Sequence, residues 1–335
     1  MDADTADSLL SSAEEAAQGL RGLEVKATFR RLDQQYGDFQ SALQWFIEAG
    51  RASEACRLST ALVPFWMATK RLDEGAMWLD RVLSSHGADE AARGRALFDA
   101  GYLAFWKGDD DRSASLQNQA LEIGRRTNNP TVTALALVGL ARIALRTGVD
   151  EARRLCREAL AVTDGTTDRL GRSSAMHVLA VASQMAGDFV EARDLMSQRI
   201  ALAREAGNFA VISSEAGNLS MVERQLGNLD AADALAREAL DIDRRRGDEL
   251  AIPWKVNGLA AVAKDRGQFE RAATLVGIAD ATMERAGGAW PPDERQHYEA
   301  TVAALIGAMG TADFERIRAA GRSMPTADGV HFALT

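Results

Sequence analysis

Lys107–Leu121 (KGDDDRSASLQNQAL), Thr147–Leu160 (TGVDEARRLCREAL), Ala186–Ile200 (AGDFVEARDLMSQRI), Leu226–Leu240 (LGNLDAADALAREAL) and Arg266–Asp280 (RGQFERAATLVGIAD) are five variants of one phrase. Their glycines, Gly108, Gly148, Gly187, Gly227 and Gly267, lie 40, 39, 40 and 40 residues apart. A fixed period of this size marks a repeat architecture. Seven residues before each glycine stands a small residue: Gly101, Ala141, Ala180, Ser220 and Ala260. Five after it comes another, Ser113, Ala192, Ala232 or Ala272, with Ala152 one place early. That deletion after Gly148 accounts for the short interval. Leu116, Leu155, Leu195, Leu235 and Leu275 follow, then Ala120, Ala159, Ala239 and Ala279, a position where Arg199 departs from the pattern.

Each phrase reads as a helix, a tight turn and a second helix. Glycine accepts the positive φ that follows a helix C-terminus. The Asp, Asn or Gln after it offers a turn former and a side-chain acceptor. Small residues on both sides of the turn lie where two antiparallel helices approach most closely, with leucine filling the gaps. One hairpin cannot bury its apolar face alone, so successive hairpins must stack. The fold class expected is all-α, a right-handed α-solenoid of antiparallel helix hairpins with a period of about 40 residues.

The small residue, the turn glycine, the apolar residue two later (Phe189, Leu229, Phe269) and the alanines five and twelve later resemble the tetratricopeptide repeat (TPR). The longer period and the missing proline at the end of the second helix depart from that family, and imply longer helices and a shifted pitch. Gly50 with Ala55, and Lys70 with Gly75, resemble degenerate forms of the same turn. The opening LDQQYGDFQSALQWFIEAG (32–50) and the segment running from LVGIADATMERAGGAWPPDERQHYEA (275–300) to AAGRSM (319–324) narrow the resemblance. They are similar to the helical-repeat region of large bacterial signal-transduction ATPase regulators, which often carry a LuxR-type DNA-binding domain. No G-x-x-x-x-G-K-[ST] phosphate loop is present, so the ATPase step does not carry over. What the resemblance implies is the sensor or partner-binding part alone.

The domains expected are a partly helical leader over 1–27, the repeat array over 28–286, and capping helices with a tail over 287–335. Pro292 and Asp293 suit a helix start, and a last short helix is expected around Asp313 to Gly321. Residues 1–25 and 322–335 are expected to fray.

Composition limits the function. Acids outnumber Lys and Arg by 48 to 39, a net charge of −9, which repels phosphate backbones and argues against direct nucleic-acid binding. Two cysteines, Cys56 and Cys156, are too few for a disulfide framework and fit a reducing cytoplasm. The leader is acidic and no long apolar run occurs, so no signal peptide or membrane span is read. His86, His177, His297 and His331 fall in no ligand spacing, and no metal or cofactor is expected. The acidic turn Asp109–Asp111 reads as a helix cap. Cys156, beside the core Leu155, reads as a small buried hydrophobe rather than a nucleophile. No catalytic residue is assigned, and the chain is read as not an enzyme.

In the repeat this chain resembles, first-helix positions thirteen, ten, six and three residues before the turn glycine face the concave groove, one stripe of a 3.6-residue period. Counted here, the stripe is Arg95, Phe98, Tyr102 and Phe105; Leu135, Val138, Arg142 and Leu145; Ser174, His177, Val181 and Gln184; Ser214, Gly217, Met221 and Arg224; Trp254, Asn257, Ala261 and Lys264. Its candidate binding residues are the aromatic patch, Trp254 and Met221, with Arg95, Arg142, His177, Gln184, Arg224, Asn257 and Lys264. Apolar surface beside cations and amides suits a protein or peptide partner, or a small-molecule effector, with an acidic group. Aromatic residues at helical spacing are also common core residues, the alternative for Phe98, Phe105 and the group Trp45, Phe65, Trp66, Trp78 and Trp106.

Overall fold

The structure, a computed structural model, describes residues 1–290 and 292–335; the side chains of 292–294 lie outside the described set. Among the described residues every regular element is a helix. The chain forms two compact units, Met1–Leu195 and Met196–Thr335. Unit 1 holds α1 (Ala3–Gly19), α2 (Val25–Gln34), α3 (Tyr36–Glu48), α4 (Ala52–Ala68), α5 (Leu72–Ser84), α6 (Glu90–Trp106), α7 (Asp110–Arg126), α8 (Pro130–Ala144), α9 (Val149–Val162), α10 (Arg169–Met185) and the first residues of α11 (Phe189–Glu205). Unit 2 holds the rest of α11, then α12 (Phe209–Gln225), α13 (Leu229–Arg246), α14 (Ile252–Asp265), α15 (Phe269–Arg285), α16 (Pro292–Met309), α17 (Thr311–Arg322) and α18 (Thr326–Leu334). Each unit is built of TPR-like helix hairpins, the fold class read from the repeat.

The turns explain why the hairpins form. Gly108, Gly187, Gly227 and Gly267 take φ of 81°, 79°, 82° and 73°, the left-handed region that favours glycine. Gly148, where the repeat is one residue short, is extended instead at φ 176°. Lys70 takes the same left-handed turn between α4 and α5, as a degenerate repeat should. Gly50, at φ 72°, is a different turn. It precedes the Lys70 turn by 20 residues, as Gly247 precedes Gly267, and so leads from a second helix into the next first helix. This second set of left-handed residues, with Gly87, Asn128, Gly165, Gly207 and Gly287, ends the helices where the family's proline is missing.

Acceptor side chains then start the next helix. Asp109 Oδ1 accepts the Arg112 N–H at 3.1 Å, as expected of the acidic turn, and Asp89, Asn129, Asp168 and Asn208 cap α6, α8, α10 and α12.

The small residues flanking a turn do meet. Ser113 Oγ donates to the Gly101 carbonyl at 2.8 Å, and Ser220 Oγ donates to the Ala232 carbonyl at 2.7 Å. Ala141, Ala152, Ala180, Ala192, Ala260 and Ala272 are all fully buried. Arg199, in the place of the repeated alanine, has its own reason: it pairs with Glu215 of α12, a carboxylate with no solvent exposure.

Both termini are folded, against the expectation of fraying. Helix α1 buries Ala6, Leu10, Ala13 and Ala16 in the first core, and Glu14 takes two hydrogen bonds from Arg57. Helix α18 buries Val330 and Ala333, and Arg271 donates to the carbonyls of Phe332 and Ala333 while its guanidinium lies 4.9 Å from the Phe332 ring. The short helix expected near Asp313–Gly321 is α17. Helix α16 starts at Pro292, as read, but the Asp293 side chain lies outside the described residues.

Candidate functional site

In unit 2 the first helices α12, α14 and α16 line two adjoining depressions. One, of about 200 Å³, is walled by Ser214, Gly217, Asn218, Met221, Trp254 and Lys255. The other, of about 110 Å³, is walled by Arg224, Asn257, Ala261, Lys264, His297 and Thr301. Ser220, Met221, Trp254 and Gly258 line both. The eight stripe residues counted back from Gly227 and Gly267 all stand on these walls. The 3.6-residue period places them there, because α12 and α14 run side by side in the same sense with like faces exposed.

The lining is cationic. Arg224, Lys255, Lys264 and His297 are present, and among the described lining residues there is no Asp or Glu. Arg224 Nη1 and Lys264 Nζ share the Asp265 carboxylate at 2.7 and 2.8 Å. Burial alone would raise the Asp265 carboxyl, yet the hydrogen bonds from Lys264 and Arg224 outweigh it and hold the group below its usual range. One carboxylate between two cations leaves an excess of positive charge. Asn257 is 8 % exposed, and its Oδ1 has no hydrogen-bond partner among the described residues. A buried amide oxygen left unpaired is costly.

Lys255, Asn218, His297 and Thr301 were not among the candidates. Counting thirteen and ten residues back from Gly310 gives His297 and Ala300, so the same rule reaches the third helix once Gly310 is taken as a turn; its φ is 82°. Lys255 and Asn218 lie off the stripe. Gly217 admits the first, since a Cβ there would sit 2.6 Å from Lys255 Nζ.

The candidates of unit 1 share a face of α6, α8 and α10 but are drawn into packing. Phe98 is 8 % exposed and part of the core, stacked on Tyr102 at 6.1 Å. Tyr102 and Phe105 are half-buried. Arg95 pairs with the buried Asp99 at 3.0 Å; Arg142 lies 5.3 Å from the Tyr102 ring centre and Arg146 4.4 Å from that of Phe105. Leu135 and Val138 are buried outright, while His177 and Gln184 are half-buried on α10. Among the other aromatics Phe65, Trp66 and Trp78 are core, Trp45 is half-buried, and Trp106 is 51 % exposed with its ring edge-on to Tyr102 and Phe105.

Burial pushes the Cys56 thiol up to about 11 and that of Cys156 up to about 12, which keeps both protonated at neutral pH. Among the described residues no cluster of His, Cys, Asp and Glu is arranged to hold a metal, and no helix is long and apolar enough to cross a membrane.

Two family models described as tetratricopeptide repeat match residues 132–205 and 216–246. The fold is similar to that of BtubC (BKLC) from P. vanneervenii, at 19 % identity over 75 % of this chain and 94 % of that one, with a TM-score of 0.53. It is similar to a Rap protein complexed with competence and sporulation factor, at 12 % identity over 95 % of this chain and 100 % of that one, TM-score 0.56. Aspartyl phosphate phosphatase F from Bacillus subtilis resembles it at 11 % identity over 95 % of both chains, TM-score 0.51. No curated protein matches the sequence. Repeat period, turn geometry, family models and structural likeness agree that the protein is a TPR-like helical-repeat protein.

Proposed function

We propose that the protein is a binding module of a regulatory pathway, and that the face formed by α12, α14 and α16 takes an acidic peptide segment of a partner or effector. The observation that carries this reading is the charge of the lining: three Lys or Arg and a histidine, with the single Asp265 carboxylate shared behind Arg224 and Lys264, in a chain of net charge −9. A local field opposite to that of the whole molecule attracts anionic ligands. Trp254 and Met221 add apolar contact between the polar ends, and the amide of Asn257 suits the N–H of a peptide bond.

The two depressions, of about 200 and 110 Å³, adjoin through Ser220, Met221, Trp254 and Gly258, a form that suits an extended chain. The likeness to a Rap protein solved with competence and sporulation factor supports a ligand on this kind of scaffold.

Selection from a random peptide library tests the reading. Acidic sequences should be enriched, and Lys264→Ala should weaken the selected peptides about tenfold, the scale of one charge-assisted contact. Enrichment of basic or purely apolar sequences, or peptides indifferent to Lys264→Ala, would refute it.

A further inference from the structure

Gly258 stands in the middle of α14, where glycine is the poorest helix former after proline. Most mid-helix glycines here have a packing reason. A Cβ on Gly139 would lie 2.3 Å from Gln117, one on Gly277 2.1 Å from a backbone oxygen, and one on Gly94 2.8 Å from Val132. Gly258 has none: a Cβ there would meet nothing within 4 Å. Gly37 and Gly307 also face open space, but both are exposed and neither lines these two depressions. Gly258 is half-buried and lines both depressions, together with Met221 and Trp254. Beside it, Asn257 is nine-tenths buried and lines the second depression, and its amide oxygen has no partner among the described residues.

We infer that Gly258 keeps the two depressions joined, so that one continuous acidic peptide lies across both, its main chain against the Gly258 backbone and an N–H donated to Asn257 Oδ1. The inference rests on the acidic-peptide reading and adds the path of the ligand. A side chain at 258 would rise into this open space and occupy the path of the peptide main chain. The ends of the peptide then reach different cations, Lys255 in the first depression and Arg224 and Lys264 in the second. Nothing within 4 Å of a Cβ at 258 forbids alanine there, so the glycine lowers helix stability and leaves that floor open.

The experiment compares wild type, Gly258→Ala and Gly258→Val by thermal melting and by fluorescence polarisation with fluorescein-labelled hexaglutamate, with labelled hexalysine as control. Gly258→Ala should melt about 1–3 °C higher than wild type, because alanine favours the helix and meets no clash. The same variant should bind hexaglutamate about tenfold more weakly, and Gly258→Val more weakly still. A variant both more stable and weaker in binding separates the role of the floor from folding. If wild type prefers hexaglutamate, and both folded variants bind it as tightly as wild type, the path over Gly258 is wrong while the acidic-peptide reading stands. If wild type does not prefer hexaglutamate to hexalysine, the acidic-peptide reading fails and takes this inference with it. Should Gly258→Val melt early, Gly258→Ala alone decides.

Discussion

Replacing Gly277 by alanine should cost unit 2 about as much stability as losing a core side chain, although the change adds a single methyl group. Helix α15 crosses α17 backbone to backbone at this point. An alanine Cβ would stand 2.1 Å from the Arg318 carbonyl oxygen and 2.9 Å from the Arg322 nitrogen, and Gly321 on the facing helix is held just as closely by the Thr274 carbonyl, 2.2 Å from where its own Cβ would be. Ordinary contact begins near 3.4 Å, so α17 must retreat by more than about 1 Å, with no flexible side chain to absorb the movement. The retreat pulls on Arg318, which donates to the buried Asp280 carboxylate at 2.7 Å. Overpacking of this kind costs up to about 3 kcal/mol. Alanine's better helix propensity returns about 1 kcal/mol, leaving about 2 kcal/mol. The expected fall in melting temperature is about 4–8 °C, read by circular dichroism at 222 nm. Gly307→Ala, on an open face of α16, serves as the control and should melt slightly higher than wild type. If Gly277→Ala melts within about 1 °C of wild type, the close crossing of α15 and α17 is wrong.

Asp99 is buried, and burial raises its carboxyl above the ordinary value in spite of Arg95. A group whose folded pKa is raised contributes stability that is present below the unfolded value near 3.9 and is lost as pH rises through the folded pKa. Asp99→Asn should therefore gain melting temperature relative to wild type more at pH 8 than at pH 4; an equal difference at both would contradict the shift. Cys56 and Cys156 should be inert to a thiol-disulfide reagent at pH 8 in the native protein, and both should react in guanidinium, since each thiol is buried and held protonated. Asp89→Ala removes the acceptor that caps α6 through the Ala92 N–H at 2.8 Å, at a cost of about 1 kcal/mol, measurable as a lower denaturant midpoint.

Much of this architecture is legible in the repeat itself. The glycine period locates the turns, and the small residues at Gly101 and Ser113, or Ser220 and Ala232, mark the helix crossings, because both are demands of the backbone that only a few residue types meet. The second set of turns is less legible because its residue varies, with Asn128 among glycines, and its distance from the preceding first-set turn slips from 20 to 17 residues at Gly87 and Gly165. Arg199 looked like a lapse in the pattern; its partner Glu215 lies sixteen residues on, in another helix, and no periodicity could pair them. The stripe placed Met221, Arg224, Trp254, Asn257 and Lys264 on one accessible face. It did not separate them from Phe98, Tyr102 and Arg142, which occupy the same register but fill space in unit 1, since register fixes the direction of a side chain and not what it meets. Lys255 lies off the stripe and reaches the depression only because Gly217 has no side chain, a coincidence of two helices.

The central claim is that ligand binding belongs to the face of α12, α14 and α16. Amide hydrogen exchange with and without saturating hexaglutamate tests it most directly. Added protection should concentrate in residues 214–224, 254–264 and 297–301, with little change along α6 and α8. Protection centred on α6 and α8 instead, or spread evenly over the chain, would contradict it.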